Sequence, residues 1–255
     1  MTVVSLDQAE WEVLSSQFLL KKGDARNREH SIRAIDLLVP QKCADLLDSL
    51  TAAIGSPSRR ITASLLSKRI AFLTAAPSLY AMSMYDKGLD LSLENCFLEY
   101  HYANKRWQSG MPLESLTATL PPMDLRAEWR RKIIVSIFSD NLSRLWQSLS
   151  SVAKVPLPVL WENTAVRVYS LYERRMMENS CTYAQGRIRE DFTYLVRDAG
   201  PEMFGAVENP LAKFFWHKQR TPHSTQPIRV RQTCCYYYKA TEPQEYCSTC
   251  PLNRR

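Results

Sequence analysis

Four of the seven cysteines in this 255-residue chain lie together in its last stretch. They form a vicinal pair, Cys234-Cys235, and a Cys-x-x-Cys motif, Cys247 and Cys250, with eleven residues between the two halves. The remaining three, Cys43, Cys96 and Cys181, are scattered, and an odd total does not suit a disulfide framework. A segment this short cannot build its own core. We therefore expect a metal centre or a redox pair that docks on the rest of the chain.

The spacing of these four cysteines is compatible with several kinds of centre. A two-residue spacer lets a turn direct Cys247 and Cys250 onto one metal ion, or onto each other as a redox disulfide. Neighbouring side chains of a regular strand point to opposite faces, so Cys234 and Cys235 can both be ligands only where the backbone turns or bulges. Zinc would take all four thiolates, and a [2Fe–2S] cluster would take two on each iron. The residues alone leave iron–sulfur, zinc and a plain dithiol open.

Composition excludes several other classes. The chain is 45% hydrophobic and 23% charged, which is ordinary globular usage and excludes wholesale disorder. Seven glycines and the absence of GxGxxG and GxxxxGK[ST] argue against a phosphate-binding loop. The first residues lack a signal peptide, and no apolar run is long enough to span a bilayer. We expect a cytoplasmic protein with at most peripheral membrane association. The net charge of +7 favours an anionic partner.

Hydrophobic periodicity predicts a mainly helical chain with one small β region. Ser5 is the predicted cap of the first helix, Pro77 is expected to end or kink the third, and Asp124 is the predicted cap of the longest. A hairpin is expected within 89–107, with its turn at 103–105. The predicted helices beyond the first cover approximately 40–54, 58–76, 124–152, 160–177 and 182–198. The stretch 227–239 looks extended.

These elements predict an α+β fold that is predominantly helical, with a small antiparallel sheet and a C-terminal cysteine-bearing segment. We divide it into an N-terminal region of helices and sheet, 1–155, and a C-terminal region, 156–255. The second region contains the cysteine segment 228–255. We expect both regions to form one compact unit.

The ending RVRQTCCYYYKATEPQEYCSTCPL resembles the C-terminus of the FhuF-type ferric siderophore reductases. The hallmark of that family is a vicinal cysteine pair, about ten residues, and a Cys-x-x-Cys motif that together bind a [2Fe–2S] cluster. Two upstream stretches, LWENTAVRVYSLYE and ENPLAKFF, strengthen the resemblance. The spacer here has eleven residues instead of the usual ten.

The resemblance implies an oxidoreductase in which Cys234, Cys235, Cys247 and Cys250 hold the cluster. Its task would be to pass one electron to Fe(III) in an imported siderophore and to release Fe(II). Siderophore oxygens are hard donors that bind Fe(II) far more weakly than Fe(III), so reduction discharges the iron. The implied electron donor is a cytosolic protein of the ferredoxin or flavin reductase type, and no nucleic acid is expected.

Candidate substrate contacts are basic or aromatic residues on the stretches that carry the resemblance or near the cysteines: Arg167, Trp161, Lys213, Arg229 and Arg231. The alternative function is a non-enzymatic zinc-binding module whose basic surface binds nucleic acid. It predicts strongly salt-dependent binding of DNA or RNA.

Overall fold

A computed structural model describes residues 2–178, 182–222 and 224–253. Cys181, one of the scattered cysteines, lies outside these ranges. The α-helices are α1 Gln8–Phe18, α2 Pro40–Ile54, α3 Arg59–Tyr85, α4 Arg126–Ile137, α5 Arg144–Ala153, α6 Leu157–Ser170, α7 Thr182–Thr193 and α8 Pro210–Lys213. Three π-helical stretches, 138–143, 171–176 and 194–198, continue helices α4, α6 and α7.

The strands are short and form several small sheets. They are β1 Thr2–Val4, β2 Leu20–Lys22, β3 Ser31–Arg33, β4 Gly88–Leu89, β5 Phe97–Glu99, β6 His101–Ala103, β7 Arg106–Gln108, β8 Met111–Leu113, β9 Ala118–Leu120, β10 Gln219–Thr221 and β11 Ser224–Ile228. One sheet has the order β1-β9-β4, and the other strands pair in twos. The β6–β7 hairpin turns at 104–105, within the predicted range. The structure confirms the predicted fold class, although β2 and β8 are parallel.

Helix α3 is the centre of the molecule. Its residues from Ile61 to Ser83 are almost all buried, and α3 packs along α6. We predicted that Pro77 ends or kinks this helix. The helix does not end there, because α3 continues through Pro77 to Tyr85. Proline removes one backbone donor, but packing on every side of a buried helix outweighs that loss. Among the described helices, α3 included, none combines the length and apolarity that crossing a bilayer requires.

Two predicted helix caps were wrong. Asp7 caps α1 in place of Ser5, and its side chain and that of Glu10 form a reciprocal capping box. Asp124 has a φ of 60°, outside the extended conformation that an N-cap needs, and α4 begins after Leu125. The predicted end of α2 at residue 54 is confirmed, and Gly55 follows it in a left-handed conformation with a φ of 69°.

A buried charge network joins α3, α4 and α7. The Asp191 carboxylate is fully buried and accepts hydrogen bonds from Arg126, Arg130 and Ser83. Removing one partner of such a buried pair leaves an uncompensated charge, so the network fixes the helices relative to one another. It therefore holds α3 in place, and the cysteine segment docks on α3.

Candidate metal centre and adjoining cavity

Backbone hydrogen bonds gather the four cysteines of the C-terminal segment. The predicted extended conformation of 227–239 stops at Ile228, where β11 ends. Beyond the vicinal pair, Tyr236 adopts a left-handed conformation with a φ of 61°, and its N–H donates to Cys234 Sγ at 3.3 Å. The amide of Cys250 donates to the carbonyl of Cys247 at 2.9 Å, which closes the Cys-x-x-Cys turn. The backbone thus turns at both halves of the motif.

Two sulfurs from opposite halves of the motif lie close together. Cys235 Sγ and Cys247 Sγ are 3.5 Å apart, and all four cysteines are free thiols. Two thiolates on one tetrahedral metal, with bonds of about 2.3 Å, would be about 3.8 Å apart. The pair therefore has the separation of two ligands on one metal. In the described parts of the chain, no three His, Cys, Asp or Glu side chains converge on a single ion.

Positive charge surrounds this sulfur pair. Lys68 Nζ lies 2.9 Å from Cys235 Sγ. The hydrogen bond that Cys235 shares with Cys247 lowers the pKa of Cys235, and the charges of Lys68 and Arg231 add to the effect. The same hydrogen bond raises the pKa of Cys247, because its proton is held between two sulfurs. Burial raises the pKa of Cys234, and the charges of Cys235 and Cys250 raise it by smaller amounts. Cys234 and Cys250 therefore lie within electrostatic range of this group of sulfurs.

Helix α6 anchors the cysteine segment through Glu162, which is 2% exposed. Its carboxylate accepts hydrogen bonds from the amides of Gln232 and Thr233, at 2.6 and 2.8 Å, and from the Thr233 hydroxyl. Arg231 Nε lies 3.5 Å from the same carboxylate. One buried acid therefore fixes the backbone directly before the vicinal cysteines.

Asn163 and Ser64 connect the segment to α3. Asn163 accepts a hydrogen bond from Arg231 Nη1 at 2.6 Å and donates to the Ser64 carbonyl at 2.9 Å. The Ser64 hydroxyl donates to the Cys235 carbonyl at 2.9 Å. Ser64 and Lys68 are four residues apart and share one face of α3. Sequence reasoning missed both, although polar residues within an otherwise buried helix are a signal that could have identified them.

Arg231 carries the observation that best tests whether a metal cluster fits here. The residue is 3% exposed, and its Nη2 is buried without a hydrogen-bond partner among the described residues. Its charge acts on Cys234, Cys235 and Cys247. A buried guanidinium with an unused donor needs an acceptor. Four thiolates around an anionic iron–sulfur cluster would supply one, so the residues present fit such a group.

A large cavity of about 980 Å³ opens beside Cys247. Its walls come from α3, the end of α2, the β6–β7 hairpin and the loop between the cysteine pairs. Five of the described lining side chains are basic and two are acidic. The basic ones are Lys68, Arg69, Lys105, Arg167 and Lys239, and the acidic ones are Glu242 and Glu245. Cys247 is the cysteine of the four that lines this space.

The five predicted substrate contacts are placed differently. Arg167 lines the cavity, whereas Arg231 lies under the cysteine segment. Trp161 is 7% exposed and packs edge-on against a phenylalanine of the core. Arg229 makes a bidentate ion pair with Glu173 and stacks between two aromatic rings, so its donors are used within the fold. Lys213 pairs with a glutamate on the surface.

Comparison with known families agrees with the site. Residues 64–221 match the family model described as "Ferric iron reductase FhuF-like transporter". Residues 231–252 match the model described as "FhuF 2Fe-2S C-terminal domain". The second match covers all four clustered cysteines, and the first begins at Ser64, which contacts Cys235. No curated protein matches the chain.

Proposed function

Because the chain belongs to the family of FhuF-like ferric iron reductases, we propose that it is a ferric siderophore reductase with a [2Fe–2S] cluster. Cys234, Cys235, Cys247 and Cys250 would hold the cluster. The observation that carries this proposal is the approach of Cys235 and Cys247 to 3.5 Å next to a buried Arg231 with an unused donor. When bound, the cluster supplies one electron to the Fe(III) of a siderophore.

The chain's own residues hold the reactants and tune their charge. Glu162 and Asn163 fix the cysteine segment against α3 and α6, which keeps Cys247 at the wall of the cavity. Lys68 and Arg231 place positive charge at the cysteine sulfurs and so favour the more negative, reduced state. The transfer converts Fe(III) to Fe(II) and needs no general acid or nucleophile. Oxygen ligands hold Fe(II) more weakly, so the iron then leaves the chelator.

An external donor must return one electron after each transfer. We assign this to a protein of the ferredoxin or flavin reductase type, and the reaction to the cytoplasm, where thiols stay reduced. The basic surface of the cysteine region would attract an acidic donor or an anionic chelate.

The test is spectroscopic and uses anaerobically purified protein. We expect a red-brown protein that bleaches with dithionite and gives an EPR signal in the reduced state. Mixing the reduced protein with a ferric siderophore and a colorimetric Fe(II) trap should release one Fe(II) per cluster. A colourless protein that holds one tightly bound zinc would overturn the proposal and favour the zinc module.

Lys68→Met should make the midpoint potential of the protein more negative. The substitution keeps the length of the side chain but removes the charge that lies 2.9 Å from Cys235 Sγ. A cation at this distance stabilises the reduced state more than the oxidised one. We expect a decrease on the order of 60 mV, which is a tenfold change in a one-electron equilibrium. Redox titration followed by visible absorption measures it.

The control for charge is Lys132→Met, on a side chain that is 55% exposed and pairs with Glu128. Its midpoint potential should equal that of the wild type. A Lys68→Met protein with an unchanged or higher potential would contradict the role assigned to Lys68.

A further inference from the structure

The cavity beside Cys247 has more basic than acidic side chains in its described lining, five against two. Arg69 donates to the neutral hydroxyl of Ser109, at 2.6 and 3.1 Å, and Lys68 donates to a sulfur. Lys105 is exposed at the turn of the β6–β7 hairpin. In the described part of the chain, none of these three cations has a carboxylate partner. Arg69 and Lys105 therefore add positive charge to the cavity, whereas the charge of Lys68 is directed to Cys235.

Arg167 is the clearest case. It projects from α6 into the cavity, is only partly exposed, and has no hydrogen-bond or ion-pair partner among the residues that the structure describes. Burial lowers its pKa, repulsion from Arg69, Arg175 and Arg231 lowers it further, and the charge of Cys235 offsets a smaller part of this. A desolvated cation among other cations is costly unless an anion joins it. The fold nevertheless places Arg167 among these cations, next to the proposed cluster.

Aromatic rings form another part of the wall. Tyr102 and Trp107 pair across the β6–β7 hairpin with their ring centroids 5.4 Å apart, and Tyr237 lies under Lys68 at 5.3 Å. Small-molecule sites typically have volumes of about 300–1,000 Å³ and combine apolar walls with a few placed polar groups. At about 980 Å³, this cavity has room for a large chelate.

We propose that this cavity binds ferric chelates of net negative charge, with Arg167, Arg69 and Lys105 as the anion contacts and Cys247 nearest the iron. The proposal rests on the proposed reductase function and specifies its substrate class: chelates with catecholate or α-hydroxycarboxylate ligands are preferred over neutral trihydroxamates. The charge of the chelate, not only its iron, is then what the protein recognises.

Binding is tested apart from electron transfer with gallium(III) chelates, because Ga(III) resembles Fe(III) but is not reduced. The oxidised holoprotein is titrated by calorimetry with the gallium complexes of a triscatecholate, an α-hydroxycarboxylate and a neutral trihydroxamate. We expect at least one of the two anionic complexes to bind at least tenfold more tightly than the trihydroxamate. Its affinity should fall with rising salt, and which of them binds identifies the ligand chemistry. Equal affinity for all three would overturn the proposal.

Two variants locate the binding. Arg167→Met and Lys105→Met should each weaken binding of the anionic complex, about tenfold for Arg167, and leave the visible spectrum of the cluster unchanged. Lys105 is exposed, so its variant tests the cavity even where Arg167→Met does not fold. Arg197→Met, which removes an exposed arginine that does not line the cavity, is the matched control and should bind as the wild type does. Loss of affinity in Arg197→Met equal to that in the other two variants would overturn the assignment.

The reductase function and the cavity proposal fail in different ways. If the protein reduces every ferric chelate regardless of its charge, and Arg167→Met is fully active, the reductase function stands and the anion site is refuted. If the anionic gallium complex binds tightly and in a salt-sensitive way, but the ferric form is not reduced, the anion site stands and the reductase function is refuted.

Discussion

Cys247→Ser is expected to abolish both the visible spectrum and the ferric reductase activity. A serine hydroxyl is a poor substitute for a thiolate on iron, and Cys247 supplies the sulfur that lies 3.5 Å from Cys235 and lines the cavity. Changes outside the ligands alone cost metal sites about 10–100-fold in affinity, so loss of a ligand should cost at least as much. Iron and acid-labile sulfide per chain, together with absorption between oxidised and reduced states, measure the result.

The matched control is Cys43→Ala. Cys43 is fully buried on α2, and burial raises the pKa of its thiol, so it is an inert core residue. Removing one buried sulfur should cost about 1–2 kcal/mol of stability through the cavity that it leaves, with no change in the spectrum. A Cys43 variant that loses its iron while the Cys247 variant keeps it would show that the ligands have been assigned to the wrong cysteines.

Local chemistry explains which parts of the structure could be predicted from the sequence. Helix α2 was predicted within its observed bounds because its apolar spacing and Gly55 are local signals. The β6–β7 hairpin and the turn required at the vicinal cysteines have the same origin. The Cys-x-x-Cys turn depends on two residues between its ligands. Each of these features is determined within a few residues of chain.

The contacts that the sequence did not reveal connect distant parts of the chain. Lys68 reaches Cys235 across 167 positions, and Ser64 reaches the same residue across 171. No local pattern encodes such pairs, so the basic cavity between α3 and the cysteine loop stayed hidden. Arg229 shows the converse: proximity to the cysteines in sequence suggested a substrate contact, but its guanidinium is occupied by Glu173 and two aromatic rings. Pro77 was misjudged for the same reason, because tertiary packing outweighed a local rule.

Glu162→Ala should loosen the cysteine segment while leaving the helical body folded. The carboxylate that holds the amides of Gln232 and Thr233 would be lost, and the buried Arg231 would lose a compensating charge. Breaking a buried pair by removing one partner costs about 3–5 kcal/mol. The hydrogen bonds of this carboxylate run to Gln232 and Thr233 of the cysteine segment, so we expect the packing of α3 along α6 to survive its loss. We therefore expect release of iron to a chelator at least tenfold faster than in the wild type.

Hydrogen exchange separates local loosening from global unfolding. In Glu162→Ala, the amides of Gln232 and Thr233 should lose their protection, while those of α3 should keep theirs. Glu162→Gln retains an oxygen acceptor, so its amide protection and its rate of iron release should lie between those of Glu162→Ala and the wild type. Glu202→Ala removes a carboxylate that is 59% exposed and should change stability by less than about 1 kcal/mol. If Glu162→Ala instead keeps its iron and its protected amides, the carboxylate on α6 is not what holds the cysteine segment in place.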